Sequence, residues 1–383
     1  MSIYLDNGAT SFPKPLKVQQ AIVSALTGFK GSMGRSNATE IRTLERLVYD
    51  TRLLIAKLFN FSHPDHVVFT KNITESLNLF LFGFLEQGDH VLMSALEHNA
   101  VARPLESLKG KRNIKVTIIP CDAYGQMDLA ALEVALKEKP NLVIINHASN
   151  VSGDIQDLVS IGRLAKQYRT PLVVDAAQTA GIIPIDMQDM SIDVLTFTGH
   201  KALYGPQGIG GILMTPEIAK RVTPLIYGGT GSLSEQLNQP TIMPDKFESG
   251  TPNSLGILGL KAGIEFIQDF GMEAIHKKET QLIGKLQSAL EGDPRIQIIG
   301  NPDAHKRVGI LAVNVTHKDN AVIAHELAKK YDIITRVGMQ CAPTAHKAYG
   351  TFPQGTIRFS VSVFTTDEEI EETIFALKKI IEA

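Results

Sequence analysis

Between about residues 65 and 215, short apolar runs alternate with longer amphipathic segments, and this alternation constrains the fold more than any other feature. Strands are predicted at about 67–70, 90–94, 115–120, 142–145, 171–175, 194–198 and 210–214. Helices are predicted at about 74–86, up to 108, 129–137 and 158–168. Apolar strands separated by helices indicate a mostly parallel sheet covered on both faces. The sequence therefore predicts a three-layer α/β domain.

The remainder of the chain predicts a second, smaller unit. Residues 227–252 are rich in glycine, serine and proline, which indicates a long loop, and loops of this length are often functional. After a predicted helix at 254–270, strands near 295–299, 308–315, 333–337 and 357–363 mix with helices near 272–291, 320–330 and 367–381. A chain of 383 residues also exceeds what one core usually serves. We predict a large domain of residues 15–258 and a small α+β domain of residues 1–14 and 259–383.

Charge, hydropathy and cysteine content argue against several classes of protein. The formal net charge is −2 without a block of lysine and arginine, which argues against nucleic-acid binding. The most apolar window, residues 77–85, is too short to span a membrane, and residues 1–6 lack the features of a signal peptide. The two cysteines cannot form a disulfide framework, and the His63/His66 pair lacks further ligands for a metal. We expect a cytoplasmic protein without a metal site.

Polar residues follow several predicted strands, where ligands bind in open α/β sheets. Thr74 lies at a predicted helix start, which favours a phosphate, but it could equally be a helix N-cap. His98 follows the predicted strand at 90–94, and it could instead be a structural histidine. Asn150 follows the predicted strand at 142–145, and it could instead be a turn residue. Asp175 ends an apolar strand, and its carboxylate could keep a heterocyclic nitrogen protonated. Lys201 is either a surface loop lysine or an amine that forms an imine.

Taken together, these residues favour one cofactor. Pyridoxal phosphate (PLP) requires a lysine partner for its aldehyde, an acid that keeps its ring nitrogen charged, and a phosphate site. Lys201, Asp175 and the helix start near Thr74 would supply these three groups. The sequence therefore predicts a PLP enzyme.

Several motifs resemble the class V aminotransferases of PLP fold type I, nearly from end to end of the chain. These are Asp-Ala-Ala-Gln at 175–178, Thr-Gly-His-Lys at 198–201 and Phe-Glu-Ser-Gly-Thr-Pro-Asn at 247–253. Within this family, Arg-Val-Gly-Met-Gln-Cys-Ala at 336–342 and Gly-Thr-Ile-Arg-Phe-Ser at 355–360 resemble cysteine desulfurases. The resemblance implies a PLP-dependent transferase fold, with a large three-layer α/β domain, a mostly parallel sheet and a smaller α+β domain.

The resemblance also implies roles for individual residues. Lys201 would carry the cofactor as an imine, Asp175 would pair with the pyridine nitrogen, and Gln178 would meet the ring hydroxyl. His98 would stack on the ring, and Asn150 would also touch it. Phosphate contacts would come from the backbone of Ile73 and from Thr74, Thr198, His200 and, across a homodimer interface, Thr251.

For the substrate, the resemblance implies that Arg358 binds the carboxylate through a two-point fork, with Asn150 beside it. Arg35 would reach the substrate site of the other subunit. The thiolate of Cys341 would attack the sulfur of L-cysteine, forming a persulfide and releasing L-alanine, and an unidentified protein would accept the sulfur. Cys121, outside any motif, is predicted to be structural.

The sequence leaves several related activities open. The family's Arg-x-Gly-His-His-Cys pattern has Met339 and Gln340 here, so neighbouring histidines cannot assist deprotonation of Cys341. A selenocysteine lyase or a cystine or cysteine C–S lyase would keep the cofactor and dispense with Cys341. An aminotransferase would keep the cofactor and transfer the amino group, and a non-catalytic sulfur-relay partner would keep only the fold.

Overall fold

The computed structural model describes residues 2–29 and 39–382. Its strands, in chain order, are β1 (Ile3–Tyr4), β2 (Val67–Thr70), β3 (His90–Ser94), β4 (Lys115–Ile119), β5 (Leu142–Asn146), β6 (Leu172–Asp175), β7 (Val194–Thr198), β8 (Gly210–Met214), β9 (Ile296–Ile299), β10 (Ile310–Val315), β11 (Ile333–Ile334), β12 (Arg336–Gly338) and β13 (Thr356–Ser360). Its α-helices are α1 (Leu16–Gly28), α2 (Thr39–Leu58), α3 (Ile73–Phe84), α4 (Asn99–Arg112), α5 (Leu129–Leu136), α6 (Leu158–Gln167), α7 (Pro216–Arg221), α8 (Ser254–Phe270), α9 (Met272–Leu290), α10 (Asn320–Tyr331), α11 (Pro343–Ala348) and α12 (Asp367–Glu382).

The central sheet has seven strands in the order β2-β8-β7-β6-β5-β3-β4. The five strands from β7 to β4 are parallel, and β8 runs antiparallel between β7 and β2. This confirms the prediction of a mostly parallel sheet. All residues of β3, β5, β6, β7 and β8 are buried, which explains why these strands are almost continuously apolar.

Helices cover both faces of this sheet, as predicted. Because side chains alternate along a strand, Leu92, Val143 and Val174 pack into a core with α2, α5, α6 and α8. Their neighbours, such as Val91 and Ile144, pack on the opposite face with α3, α4 and α7. These two cores give the large unit its three layers.

The second region is built on an antiparallel sheet with the order β12-β13-β10-β9, and α9, α10 and α12 contribute to its core. The prediction of one continuous strand at 333–337 is wrong. Thr335 separates β11 from β12, and β11 pairs instead with β1 in a two-stranded parallel sheet. Helix α11 was not predicted. The pairing of β1 with β11 supports assigning the first residues to the small domain, whose boundaries stay a prediction.

Residues 227–252 contain neither a helix nor a strand, in line with the predicted loop. Within residues 2–29 and 39–382, no helix has the length and apolar content needed to cross a bilayer.

Candidate active site

The predicted site residues converge at one edge of the central sheet. Strands β3, β5, β6 and β7 are parallel, so their carboxyl ends lie at the same edge. Strand β2 joins them there, because it is antiparallel to β8, which is itself antiparallel to β7. This topology places Thr74, His98, Asn150, Asp175 and Lys201 at a common edge, as expected for a ligand site.

Lys201 lies in the turn that follows β7, and its side chain is only partly accessible. Burial lowers the pKa of its amine to about 8, although the negative charge of Asp175 opposes this effect. An amine with a lowered pKa is partly neutral near neutral pH and can act as a nucleophile. This environment suits imine formation better than a surface loop does.

Asp175 is the last residue of β6 and is buried. Its Oδ1 accepts a hydrogen bond of 2.8 Å from the backbone N–H of Ala177. Burial raises the pKa of its carboxyl, while this hydrogen bond and the charge of Lys201 act in the opposite direction. A buried carboxyl in this position gains from a cationic partner, such as a protonated ring nitrogen. Gln178 is also buried, and its Nε2 donates to the carbonyl of Gly8 at 3.1 Å.

The start of α3 has free N–H groups for an anion. Asn72 is the N-cap, because its side chain accepts from the N–H of Glu75 at 3.0 Å. The interpretation of Thr74 as the N-cap is therefore wrong. Ile73 and Thr74 are the first two helical residues, so their N–H groups have no acceptor within the helix. These N–H groups, together with the helix dipole, favour a phosphate.

His98 has a structural role in addition to its predicted role in the site. It is the N-cap of α4, and its Nδ1 accepts from the N–H of Ala100 at 3.0 Å. Burial, and secondarily the charge of Lys201, lower the pKa of His98 to about 4. The ring is therefore neutral near neutral pH, and its proton lies on Nε2 because Nδ1 is an acceptor.

Buried polar atoms without partners cluster at this site. Among the described residues, eight buried side-chain polar atoms have no hydrogen bond, and four of them belong to predicted site residues. These four are Thr198 Oγ1, His200 Nδ1, Asn150 Oδ1 and Arg358 Nε. Unpaired buried polar groups are unfavourable unless a ligand satisfies them. The cluster therefore fits a polar ligand bound at this edge of the sheet.

Arg358 lies on β13 and is almost fully buried. Its Nη2 forms an ion pair with Asp6 Oδ1 at 2.7 Å, and its Nη1 donates to the carbonyl of Asn150 at 2.8 Å. Arg336 approaches the other oxygen of Asp6 at 3.4 Å. The sequence analysis did not predict this contact of Asp6 with a predicted site residue.

Glu97 is a second residue that the sequence analysis missed, although it directly precedes His98. Its side chain is fully buried. Its Oε1 accepts from Ser94 Oγ and from the N–H of Asn146, both at 2.6 Å, while Oε2 has no partner. Burial, with a further contribution from Asp175, raises the pKa of Glu97 to about 8. A charged residue type three positions after an apolar strand was the available signal.

Cys341 is exposed and lies in the turn between β12 and α11. Its carbonyl accepts from the N–H of Asn99 at 2.7 Å, which ties the turn to the residue that follows His98. The preceding carbonyl, of Gln340, accepts from Asn150 Nδ2 at 2.6 Å. Cys121 differs, because it is partly buried and burial raises its pKa to about 11.

One predicted site residue, Thr251, lies on the surface in the single chain. Thr251 is exposed and lines a surface cavity with Arg52, Thr230 and Glu248. Arg35 lies outside the described residues. Among the described residues, no group of three histidine, cysteine, aspartate or glutamate side chains is arranged to hold a metal ion.

Residues 3–373 match the family described as Aminotransferase class-V. The chain belongs to this family. A probable cysteine desulfurase from Pyrococcus abyssi is 31% identical over 394 residues, which cover 100% of this chain and 94% of the relative. A cysteine desulfurase from Pectobacterium atrosepticum is 30% identical over 335 residues, which cover 85% of this chain and 80% of the relative.

Solved structures agree with this family. The apo structure of a cysteine desulfurase from Thermococcus onnurineus NA1 matches with a TM-score of 0.93 at 30% identity, covering 100% of this chain and 95% of that chain. A cysteine desulfurase from Escherichia coli matches with a TM-score of 0.89 at 27% identity, with the same coverage. The predicted resemblance and the predicted PLP fold type I are confirmed.

Proposed function

We propose that this protein is a PLP-dependent cysteine desulfurase that converts L-cysteine to L-alanine and takes up the sulfur on Cys341. The observation that carries the proposal is the position of Cys341. Its turn is hydrogen-bonded to Asn99 and Asn150, at the same sheet edge as the Lys201–Asp175 pair. The family and the cysteine desulfurases among its relatives support the same activity.

The residues at this edge fit the cofactor. Lys201 would hold its aldehyde carbon, and Asp175 its ring nitrogen. The N–H groups of Ile73 and Thr74, with Thr198 Oγ1 and His200, would hold the phosphate, which satisfies two of the unpartnered buried atoms. Gln178 and Asn150 would contact the ring substituents, and the neutral ring of His98 would lie against the ring face. When bound, PLP supplies an electron sink that weakens the bond between Cβ and sulfur of the substrate.

The chain's own side chains would perform the remaining steps. Arg358 would bind the substrate carboxylate with its unpaired Nε–H and an adjacent N–H, while Asp6 holds the guanidinium in place. The amine of Lys201, with its lowered pKa, would take the proton from Cα of the substrate. The thiolate of Cys341 would then attack the substrate sulfur. The new S–S bond leaves a persulfide on Cys341, the Cβ–S bond breaks, and protonation of the carbon skeleton gives alanine.

The test measures alanine and sulfide release from L-cysteine in the presence of a thiol reductant. We expect Lys201→Ala and Cys341→Ala to be inactive, with Cys341→Ala still binding the yellow cofactor. Cys121→Ala is the matched control and should retain activity, because Cys121 is partly buried with a raised pKa. Normal turnover by Cys341→Ala would refute the persulfide step and indicate a C–S lyase. Amino transfer that depends on an added keto acid would indicate an aminotransferase.

We also propose a homodimer and a cytoplasmic location. Apolar side chains of α1 (Leu16, Val23 and Leu26) and of α2 (Tyr49 and Leu53) are exposed in the single chain. Apolar residues at 225–227, in the segment before Thr251, are exposed as well. Exposed apolar surface of this kind favours an interface, and sedimentation of the purified protein would test it. The two unpaired thiols fit a reducing compartment.

A further inference from the structure

The turn that carries Cys341 has an unfavourable backbone conformation. Gln340 has φ of 39° and Cys341 has φ of 57°, so two consecutive residues with side chains lie in the left-handed region. Such residues persist only when the surrounding structure holds them there, and they are found preferentially at functional sites. Contacts with the surrounding structure must therefore hold this turn in place.

The side chain of Gln340 holds the turn through buried hydrogen bonds. It is buried, and its Nε2 donates to the carbonyl of Thr356 on β13 at 3.0 Å. Its Oε1 pairs with His346 Nε2 at 2.9 Å and with Thr356 Oγ1 at 3.3 Å. His346 is fully buried, and its Nδ1 pairs with Thr351 Oγ1 at 2.7 Å. A buried polar network with its partners in place favours one arrangement over others.

The same turn is also hydrogen-bonded to the active-site edge of the central sheet. The N–H of Asn99 donates to the carbonyl of Cys341 at 2.7 Å, and Asn150 Nδ2 donates to the carbonyl of Gln340 at 2.6 Å. Thr344 Oγ1 donates to the carbonyl of Glu97 at 3.1 Å. The turn therefore lies between the buried Gln340 network and the segment that contains His98.

We propose that Gln340 is a positioning residue for the sulfur-transfer step. Through His346 and β13, it holds Cys341 in the strained turn against the active-site edge, so that the thiolate is in place when the substrate is bound. This inference rests on the proposed desulfurase function. A positioned nucleophile gains rate from orientation, and a displacement of about 1 Å can cost about 100-fold in rate. Asn150 links the carbonyl of Gln340 to Arg358, but the ion pair with Asp6 also holds Arg358, so substrate affinity should change much less than the rate.

The first test is Gln340→Met, which keeps the shape of the side chain and removes its hydrogen bonds. We expect kcat for alanine formation to fall at least about 10-fold, with KM changed by less than about twofold. The absorption spectrum of the bound cofactor should be unchanged. Gln297→Met makes the same chemical change at an exposed position of β9 and should behave as the native protein. A kcat for Gln340→Met within about twofold of native would overturn the proposal.

The second test does not depend on activity or on the cofactor. Asn99 is the first residue of α4, so its N–H has no acceptor within the helix and is protected only by the carbonyl of Cys341. In the cofactor-free protein, Gln340→Met should speed hydrogen exchange of the Asn99 amide. The amide of Ala100, which donates to His98, is the control and should not change. Unchanged exchange at Asn99 would overturn the proposed role of Gln340, whether or not the native protein is a desulfurase. Absence of desulfurase activity in the native protein would refute only the proposed function.

A third variant guards against a folding defect in Gln340→Met. Asn99→Pro removes the N–H that holds Cys341, and proline is favoured at the first position of a helix. His98 has φ of −74° and ψ of 157°, which is compatible with a following proline. Compared with Asn99→Ala, which keeps the N–H, Asn99→Pro should show the same fall in kcat at constant KM. Equal kcat in these two variants would contradict the proposed role of the docked turn.

Discussion

Replacing Glu97 by glutamine should remove a pH dependence that this one buried side chain imposes on stability. Burial raises the pKa of Glu97 from its ordinary value of 4.5 to about 8. The folded protein therefore holds the proton more tightly than the unfolded chain. The stabilisation from the protonated form is fully present below pH 4.5 and is lost as the pH rises towards about 8.

The magnitude follows from the size of this pKa change. Each pKa unit corresponds to about 1.4 kcal/mol, so the native protein should lose about 3–4 kcal/mol of unfolding free energy from Glu97 alone between about pH 5 and about pH 8. In Glu97→Gln, the amide oxygen can still accept from Ser94 and Asn146, as Oε1 does now. Its NH2 group lacks a partner, as Oε2 does now, which costs about 1–3 kcal/mol at every pH. This constant cost shifts the whole curve of the variant, so only the contribution of Glu97 ionisation makes the difference between the two curves change with pH.

The assay is urea unfolding of the cofactor-free protein at several pH values in this range, followed by circular dichroism. The difference in unfolding free energy between Glu97→Gln and the native protein should change by about 3–4 kcal/mol from about pH 5 to about pH 8, in favour of the variant. Glu372→Gln, at an exposed position of α12, is the matched control and should stay parallel to the native curve. If Glu97→Gln also stays parallel, Glu97 is ionised in the folded protein, and the reasoning from its burial is wrong.

Two further predictions concern the residues around Arg358 and the two cysteines. Asp6→Ala should lower the unfolding free energy by about 3–5 kcal/mol, because it leaves Arg358 as a buried charge without its carboxylate. Arg336→Ala should lower it by less than about 1 kcal/mol, because the Arg336 side chain is about half exposed and its ion pair is longer. Equal effects of the two substitutions in urea unfolding would contradict the Asp6–Arg358 pair. Iodoacetamide near neutral pH should alkylate Cys341 before Cys121, whose pKa is raised to about 11 by burial. Peptide mass spectrometry would reveal the opposite order, which would contradict these two environments.

The large sheet was predictable from the sequence because its signals are local. Strands buried on both faces are almost continuously apolar, and amphipathic helices separate most of them. The type of each element and its place along the chain therefore follow from short stretches of sequence. The convergence of Lys201 and Asp175 was also predictable, because parallel strands end at the same edge of a sheet. The small domain was harder. Its segment at 333–337 has one local pattern, yet β11 pairs with the N-terminal β1 and β12 pairs with β13.

The sequence by itself therefore determined the fold class and the family, and it predicted the lysine, carboxylate and thiol that would carry the chemistry. The tertiary structure decided how those groups are held. Asp6 reaches Arg358 from 352 positions away, and Asn150 reaches Gln340 from 190. The high pKa of Glu97 likewise depends on burial, which is a property of the packed molecule. Contacts between distant segments and the exclusion of water arise only when the chain is folded, so no local pattern could predict them.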